Sequence, residues 1–423
     1  MLRFASSPTG DMHINELRVA LFNYIVAKQK GEDLVVRIED TDQEKNIEGK
    51  DQEILDILGL FNIEHSQVVY QSKNFRFHSA MALQLLHEKK AFACFCSSEW
   101  LEQKKEEAKK AEKDYCYDDA CRNLPAELVI DNTAPFTIRI ARPDKPIVVK
   151  DHIQGEVSFE PDAVDSFVIM RQDKTPTYNF ACAVDDMLSD ISIVIQEEKH
   201  FKSAPKQKHV RDALNYDKKI EYAHLPNILN DTVLSVKGLL EEGYLPEAIS
   251  NYLISTGNKP PKEIFTLQEA LVWFDLDKVS KNPTHFDMDT LKDINKEHLK
   301  RLDVKELSRY VGFADEEIGE LAYIYLEEAK TTKELKSKIA SIFAVKDISD
   351  EAKESVEALR RAIKKAPYFE EYSSFKKHLM KETALQEREF VKALRILLTN
   401  AEHGPDISEI YKYLKNYLGE IIK

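Results

Sequence analysis

Glycine is scarce in this chain, at 12 of 423 residues, below half of the roughly 7% usual in globular proteins. Few positions can therefore take positive φ or admit another backbone or a ligand without a side chain in the way. Long apolar runs are missing too. No stretch approaches the roughly 20 residues that span a bilayer. The start MLRFASSPTG lacks the charged-then-apolar plan of a secretory signal, so a cytoplasmic protein without membrane contact is expected. Positive charge is in deficit: 60 Lys and Arg against 74 Asp and Glu give a net charge of -14. That excludes a general nucleic-acid coat, because phosphate binding is driven by cations, but it leaves room for a local basic track. The five cysteines do not suggest the disulfide framework of a small secreted domain.

What is present is ordinary globular material, 43% apolar, and the length fits two to four domains. LRFASS reads as a strand entering the turn SPTGD. INELRVALFNYIVAKQKG follows with helical apolar spacing closed by Gly31, and DLVVRIED is a buried-type strand. This strand-turn-helix-strand opening predicts a doubly wound parallel sheet. Residues 74–114 read as helical, ending in the charge-dense LEQKKEEAKKAEKD, expected to be a solvated helix face. Residues 134–170 alternate like strands, the helical NFACAVDDMLSDI leads to the strand-like ISIVIQ, and from Leu239 on the apolar period is almost entirely helical. The class is α/β followed by all-α.

RFASSPTGDMHINELRVALFNY resembles the N-terminal signature of class I glutamyl-tRNA synthetases, whose pattern is RFAPSPTG, a spacer and a HIGH-type tetrapeptide. VVRIEDTD, CYDDACRNL, DKTPTYNFACAVDDML, YAHLPNIL, EEGYLPEAISNYL and LRILLTN follow in family order. The resemblance implies a Rossmann-like nucleotide-binding domain in two halves (1–73 and 166–230) around an acceptor-arm-binding insertion (74–165). A stem-contact region (231–300) and a helical anticodon-binding-like domain (301–423) would follow. The family joins glutamate to ATP and passes the acyl group to its tRNA, so glutamate and tRNA are the implied partners of a chain expected to be a monomer.

In the implied amino-acid pocket, Arg3, Ser7, Glu39 and Tyr178 match the family's positions. A zwitterion needs paired charge and hydrogen bonds, so Arg3 would take a carboxylate, Glu39 the ammonium, and Tyr178 would offer a hydroxyl. The alternative is that Arg3 and Glu39 pair with each other. Gln196 stands where the family has a substrate-facing arginine, which removes a charged, two-pronged donor. In the tetrapeptide His13-Ile14-Asn15-Glu16, Asn15 replaces the glycine that leaves room for adenine, and Glu16 adds a carboxylate near the nucleotide site; His13 is retained. Ser6 replaces a proline. The KMSKS-type loop, whose lysines would stabilise the leaving pyrophosphate, is missing: about nine residues are lost after Asn230, and Lys237 is the cation left in that stretch.

These departures imply a paralogue with degenerate ATP motifs, in which binding of ATP and magnesium is in doubt and ordinary activity absent or strongly reduced. The alternatives are a working ligase with compensating residues, or an enzyme repurposed for another amino acid or for aminoacyl-tRNA. Cys94, Cys96, Cys116 and Cys121 fall as two close pairs suited to structural zinc, with Tyr117 able to replace Cys116 in a family-like variant and reduced buried thiols as the other reading. Cys182 reads as core. Lys292, Lys296, Lys300, Arg301, Lys376, Lys377 and Arg395 are candidates for a tRNA track.

Overall fold

A computed structural model describes residues 1–113, 115–130, 132–230 and 234–422. It divides into two compact units, Met1–Lys237 with Leu253–Phe286, and Gly238–Tyr252 with the chain from Asp287 on.

The described strands, all in the first unit, are β1 (Leu2–Ser6), β2 (Leu34–Ile38), β3 (Gln67–Tyr70), β4 (Ala91–Cys94), β5 (Thr137–Ile140), β6 (Ile147–Asp151), β7 (Gly155–Phe159), β8 (Val168–Met170), β9 (Ile193–Glu197), β10 (Glu221–Leu225), β11 (Ile228–Leu229) and β12 (Thr284–His285). The main sheet runs β3-β2-β1-β9-β10-β6-β7. Its pairs are parallel except β6 with β7. The chain leaves β1 toward β2 and β3 and returns on the other side as β9 and β10. A crevice thus opens at the carboxyl ends of β1 and β9, where α/β sheets bind ligands.

The helix after β1, α1 (Ile14–Lys30), ends as its glycine predicts, with Gly31 in the left-handed region at φ 64. It is buried nearly all round, from Ile14 to Ala27. Arg18 within it reaches the carbonyls of Pro226 and Thr256 at 2.8 and 2.9 Å. Glycine scarcity is met elsewhere by other residues. Among the described residues, ten non-glycine residues take positive φ, six of them Asn or Asp, whose short polar side chains tolerate that region best.

Two expectations about the sheet need correction. Residues 74–114 are not continuously helical: β4 separates the helices Phe75–His87 and Ser98–Lys110, because AFAC is too short an apolar run for its period to be read. The second of these helices buries none of its residues, as a solvated face should. The boundaries 74–165 and 166–230 also shift. β6 and β7 fall inside the expected insertion yet join the main sheet through β10, whereas β8, beyond it, completes the separate antiparallel sheet β4-β5-β8.

The second unit is helical, from Met288–Leu299 to Leu418–Ile421. Asp287, Asp303 and Thr331 cap their helices by accepting from first-turn N–H groups. Gly319 permits one close crossing, since a Cβ there would lie 2.1 Å from the Val304 carbonyl. Of the seven candidate tRNA cations, Lys292, Lys296, Lys300 and Lys376 are engaged by carboxylates, and Arg395 donates to the Pro405 carbonyl. Such surface pairs are weak and exchangeable. Among the described residues, no helix is long and apolar enough to cross a membrane.

Candidate functional site

The crevice holds a cavity of about 240 Å³. Arg3, Ser6, Ser7, Glu16, Glu39, Tyr178, Gln196, Glu197, Lys199 and His200 line it, so the sequence-predicted Arg3, Ser7, Glu39 and Tyr178 do meet around one space.

On its floor, Arg3 and Glu39 are not each other's partners. Arg3 Nε donates to Asp186 Oδ1 at 3.2 Å, while Arg37 donates to the same oxygen at 2.6 Å and to Glu39 Oε1 at 3.1 Å. Burial pushes the Asp186 carboxyl up, but Arg3 and Arg37 outweigh it and hold it below the usual range. Cys182 donates its thiol to Glu39 Oε1 at 3.2 Å, so it belongs to this floor as well as to the core. Arg37, Cys182 and Asp186 escaped the sequence reading although simple periodicity points to them. Arg37 lies two residues before Glu39 and shares its strand face, and Cys182 and Asp186 lie one and two helical steps of four beyond Tyr178. Tyr178 contacts His200 Nδ1 at 3.4 Å.

Gln196 is not a free donor to a ligand. Its Oε1 lies 3.5 Å from Arg3 Nη2, and its Nε2 lies 2.8 Å from His224 Nε2. His224 Nδ1 is 2.6 Å from Asp151. With Nδ1 donating to that carboxylate, Nε2 is left to accept from the Gln196 amide. The amide therefore bridges two buried groups.

At the rim, the first turn of α1 is occupied by the chain's own groups. Glu16 accepts from Ser6 Oγ at 3.3 Å and from the His13 N–H at 3.0 Å, which accounts for serine and glutamate occurring together here. Asn15 accepts from the Ile228 N–H at 2.9 Å and donates to the Ile228 carbonyl at 3.3 Å, clamping β11 against the helix start. Leu234–Val236 then runs beside Met12–Ile14: Ile14 N–H donates to Leu234, and Val236 N–H to Met12. The expected loop loss after Asn230 falls on residues 231–233, which lie outside the described residues. Lys237 sits in the helix Val236–Glu241 and pairs with Glu53 at 3.5 Å.

Away from this cavity, the thiols of Cys94, Cys96 and Cys121 all lie within 4.8 Å of one another. The Tyr117 hydroxyl stands 3.4 Å from Cys94 and 3.3 Å from Cys96. Cys116 is placed elsewhere, its thiol toward Asp165 at 3.4 Å and the Tyr117 carbonyl, because its neighbour's side chain points inward in its stead. Burial raises the Cys94 thiol, but the Tyr117 hydroxyl, the Cys96 backbone and Arg139 bring it down to about 7. Three thiols and a phenol at these separations fit a tetrahedral zinc.

The model for class I tRNA synthetases (E and Q), catalytic domain, matches residues 1–293. Glutamate–tRNA ligase 2 of Sulfurimonas denitrificans is 66% identical over the full length of both chains. This chain belongs to the glutamyl-tRNA synthetase family. Glutamate–tRNA ligase 1 of Nitratiruptor is 53% identical, again over both full lengths. The two alignments run over 432 positions, nine more than this family member's 423 residues. Among solved structures, a glutamate tRNA ligase from Elizabethkingia meningosepticum in complex with its amino acid superposes with a TM-score of 0.83 at 26% identity, covering 100% of this chain and 98% of that one.

Proposed function

We propose that this chain retains the amino-acid side of a glutamate–tRNA ligase pocket but is strongly reduced in ATP-dependent activation of glutamate, and acts by binding tRNA, an amino-acid ligand or a partner protein. One observation carries this reading: the Glu16 carboxylate sits on the first turn of α1, held by Ser6 and the His13 N–H. A helix N-terminus is a natural seat for phosphate, and here a fixed negative charge already uses it. Three further features agree. Asn15 closes the helix start against Ile228, Gln196 spends its amide on His224 and Arg3, and the nine unmatched alignment positions equal the length of the loop expected after Asn230.

A second reading has its own support. The names of full-length relatives at 66% and 53% identity favour a working ligase that uses ATP, magnesium, glutamate and tRNA, and they favour it more directly than they favour impairment. On either reading the β4-β5-β8 region would meet the acceptor arm of tRNA and the helical unit its anticodon end, with zinc at Cys94, Cys96 and Cys121 beside the Tyr117 hydroxyl as the structural metal.

Ligand-dependent thermal shifts separate the two, because a ligand that binds only the folded state raises its stability by mass action. Glutamate alone is expected to raise the melting temperature, and ATP with magnesium to leave it unchanged. A shift with ATP and magnesium like that of an active ligase would favour the second reading.

A further inference from the structure

Arg139, on β5, is 6% exposed, and among the described residues no carboxylate lies within ion-pair distance of it. Its Nη1 donates to the Ser166 carbonyl at 2.8 Å, its Nε points at Cys94 Sγ at 3.4 Å, and its guanidinium lies 3.9 Å from the centroid of the Tyr117 ring. Neighbouring Arg142 differs. It pairs with Asp119 and Asp162 and holds the Tyr117 carbonyl.

A buried guanidinium is costly unless its charge is answered. Arg18 shows how this fold otherwise houses one, with two carbonyls under 3 Å from it. Arg139 has one such carbonyl, and its remaining polar contact is to sulfur. A neutral thiol is only a weak acceptor, so a cluster of reduced, uncharged cysteines would leave Arg139 largely unanswered. Three thiolates around a divalent cation carry a net negative charge, which would answer it.

We infer that Arg139 is the buried counter-ion of an anionic metal–thiolate centre at Cys94, Cys96 and Cys121. The inference rests on the zinc reading above and adds to it the charge of the centre and the residue that balances it. Arg139 touches a ligand sulfur and the face of the Tyr117 ring, so it is a positioning residue that acts through the metal's ligands. Removing such outer partners typically weakens metal binding about 10- to 100-fold.

The test uses the full chain, stripped of metal and titrated with Zn²⁺ against a chromophoric chelator, and with Co²⁺ to read the thiolate-to-cobalt absorption. Wild type should bind zinc tightly. Arg139→Gln should bind about 10- to 100-fold more weakly, and Arg139→Lys, which keeps the charge, should fall between them. Proton release by wild type on zinc binding near pH 6, counted by calorimetry in buffers of different ionisation heat, supplies a readout that needs no variant: zinc should displace about three protons, one for each of the three cysteines. Equal zinc affinity in wild type and Arg139→Gln would overturn the role of Arg139 while leaving zinc in place. Fewer than three displaced protons would overturn the anionic centre, and no tight zinc binding by wild type would overturn both.

Discussion

On the floor of the cavity, Arg3, Arg37, Glu39 and Asp186 pair charge with charge across two strands and a helix. At its rim, the first turn of α1 is closed by an amide gripping a backbone and a carboxylate accepting from a hydroxyl and an N–H. The floor keeps Arg3 and Glu39, which the family resemblance assigns to an amino acid, and the rim carries Ser6, Asn15 and Glu16, which that resemblance reads as replacements. Each finds its partner within the chain: Ser6 donates to Glu16, and Asn15 grips the Ile228 backbone. A pocket can therefore change on one side while the other keeps its pairing, because the two sets of side-chain hydrogen bonds share no member.

Removing the shared acid of the floor should have the largest effect. Asp186→Ala leaves two buried guanidinium groups without their common partner, and about 3–5 kcal/mol of stability should be lost, read from denaturant melts. The same carboxyl gives a pH signature. Its value in the folded protein is depressed, so its contribution is full above the ordinary carboxylate value of about 4 and disappears as pH falls through the lowered value. In Asp186→Asn that part of the acid-side stability loss should be gone, and an unchanged acid limb would show that the pairing contributes little.

At the rim the effects should be smaller. Asn15→Ala strips the Ile228 N–H and carbonyl of their partners and should cost about 1–3 kcal/mol. Hydrogen exchange at Ile228 should rise, with the floor unaffected. If exchange at Glu39 or Asp186 rises equally, floor and rim are not separable. Glu16→Gln should do least to the fold, about 0.3–1 kcal/mol. It should also strengthen binding of inorganic pyrophosphate by roughly two- to fivefold, measured calorimetrically. Unchanged affinity would mean that the carboxylate does not guard the helix start.

Much of this was legible in the sequence. The strand-turn-helix-strand opening, the closure of α1 at Gly31 and the meeting of Arg3, Ser7, Glu39 and Tyr178 all follow from local pattern or from motifs. Long-range pairing is where the reading failed. Alternation marked β6 as a strand, but nothing local says that it lies beside β10, some seventy residues later. The same limit hid the partners of Arg3 and Gln196, since Asp186 and His224 are distant in sequence and adjacent only in the fold. Cys116 and Tyr117 could not be ranked, because spacing does not say which of two neighbours turns inward.

Glutamate-dependent ATP–pyrophosphate exchange by the purified full-length chain tests the central claim most directly. Loss of a single preorganised donor typically costs about 100- to 1,000-fold, so exchange at least about 100-fold slower than that of an active family member assayed alongside is expected. Exchange at the active member's rate would contradict the account and make this chain a working glutamate–tRNA ligase.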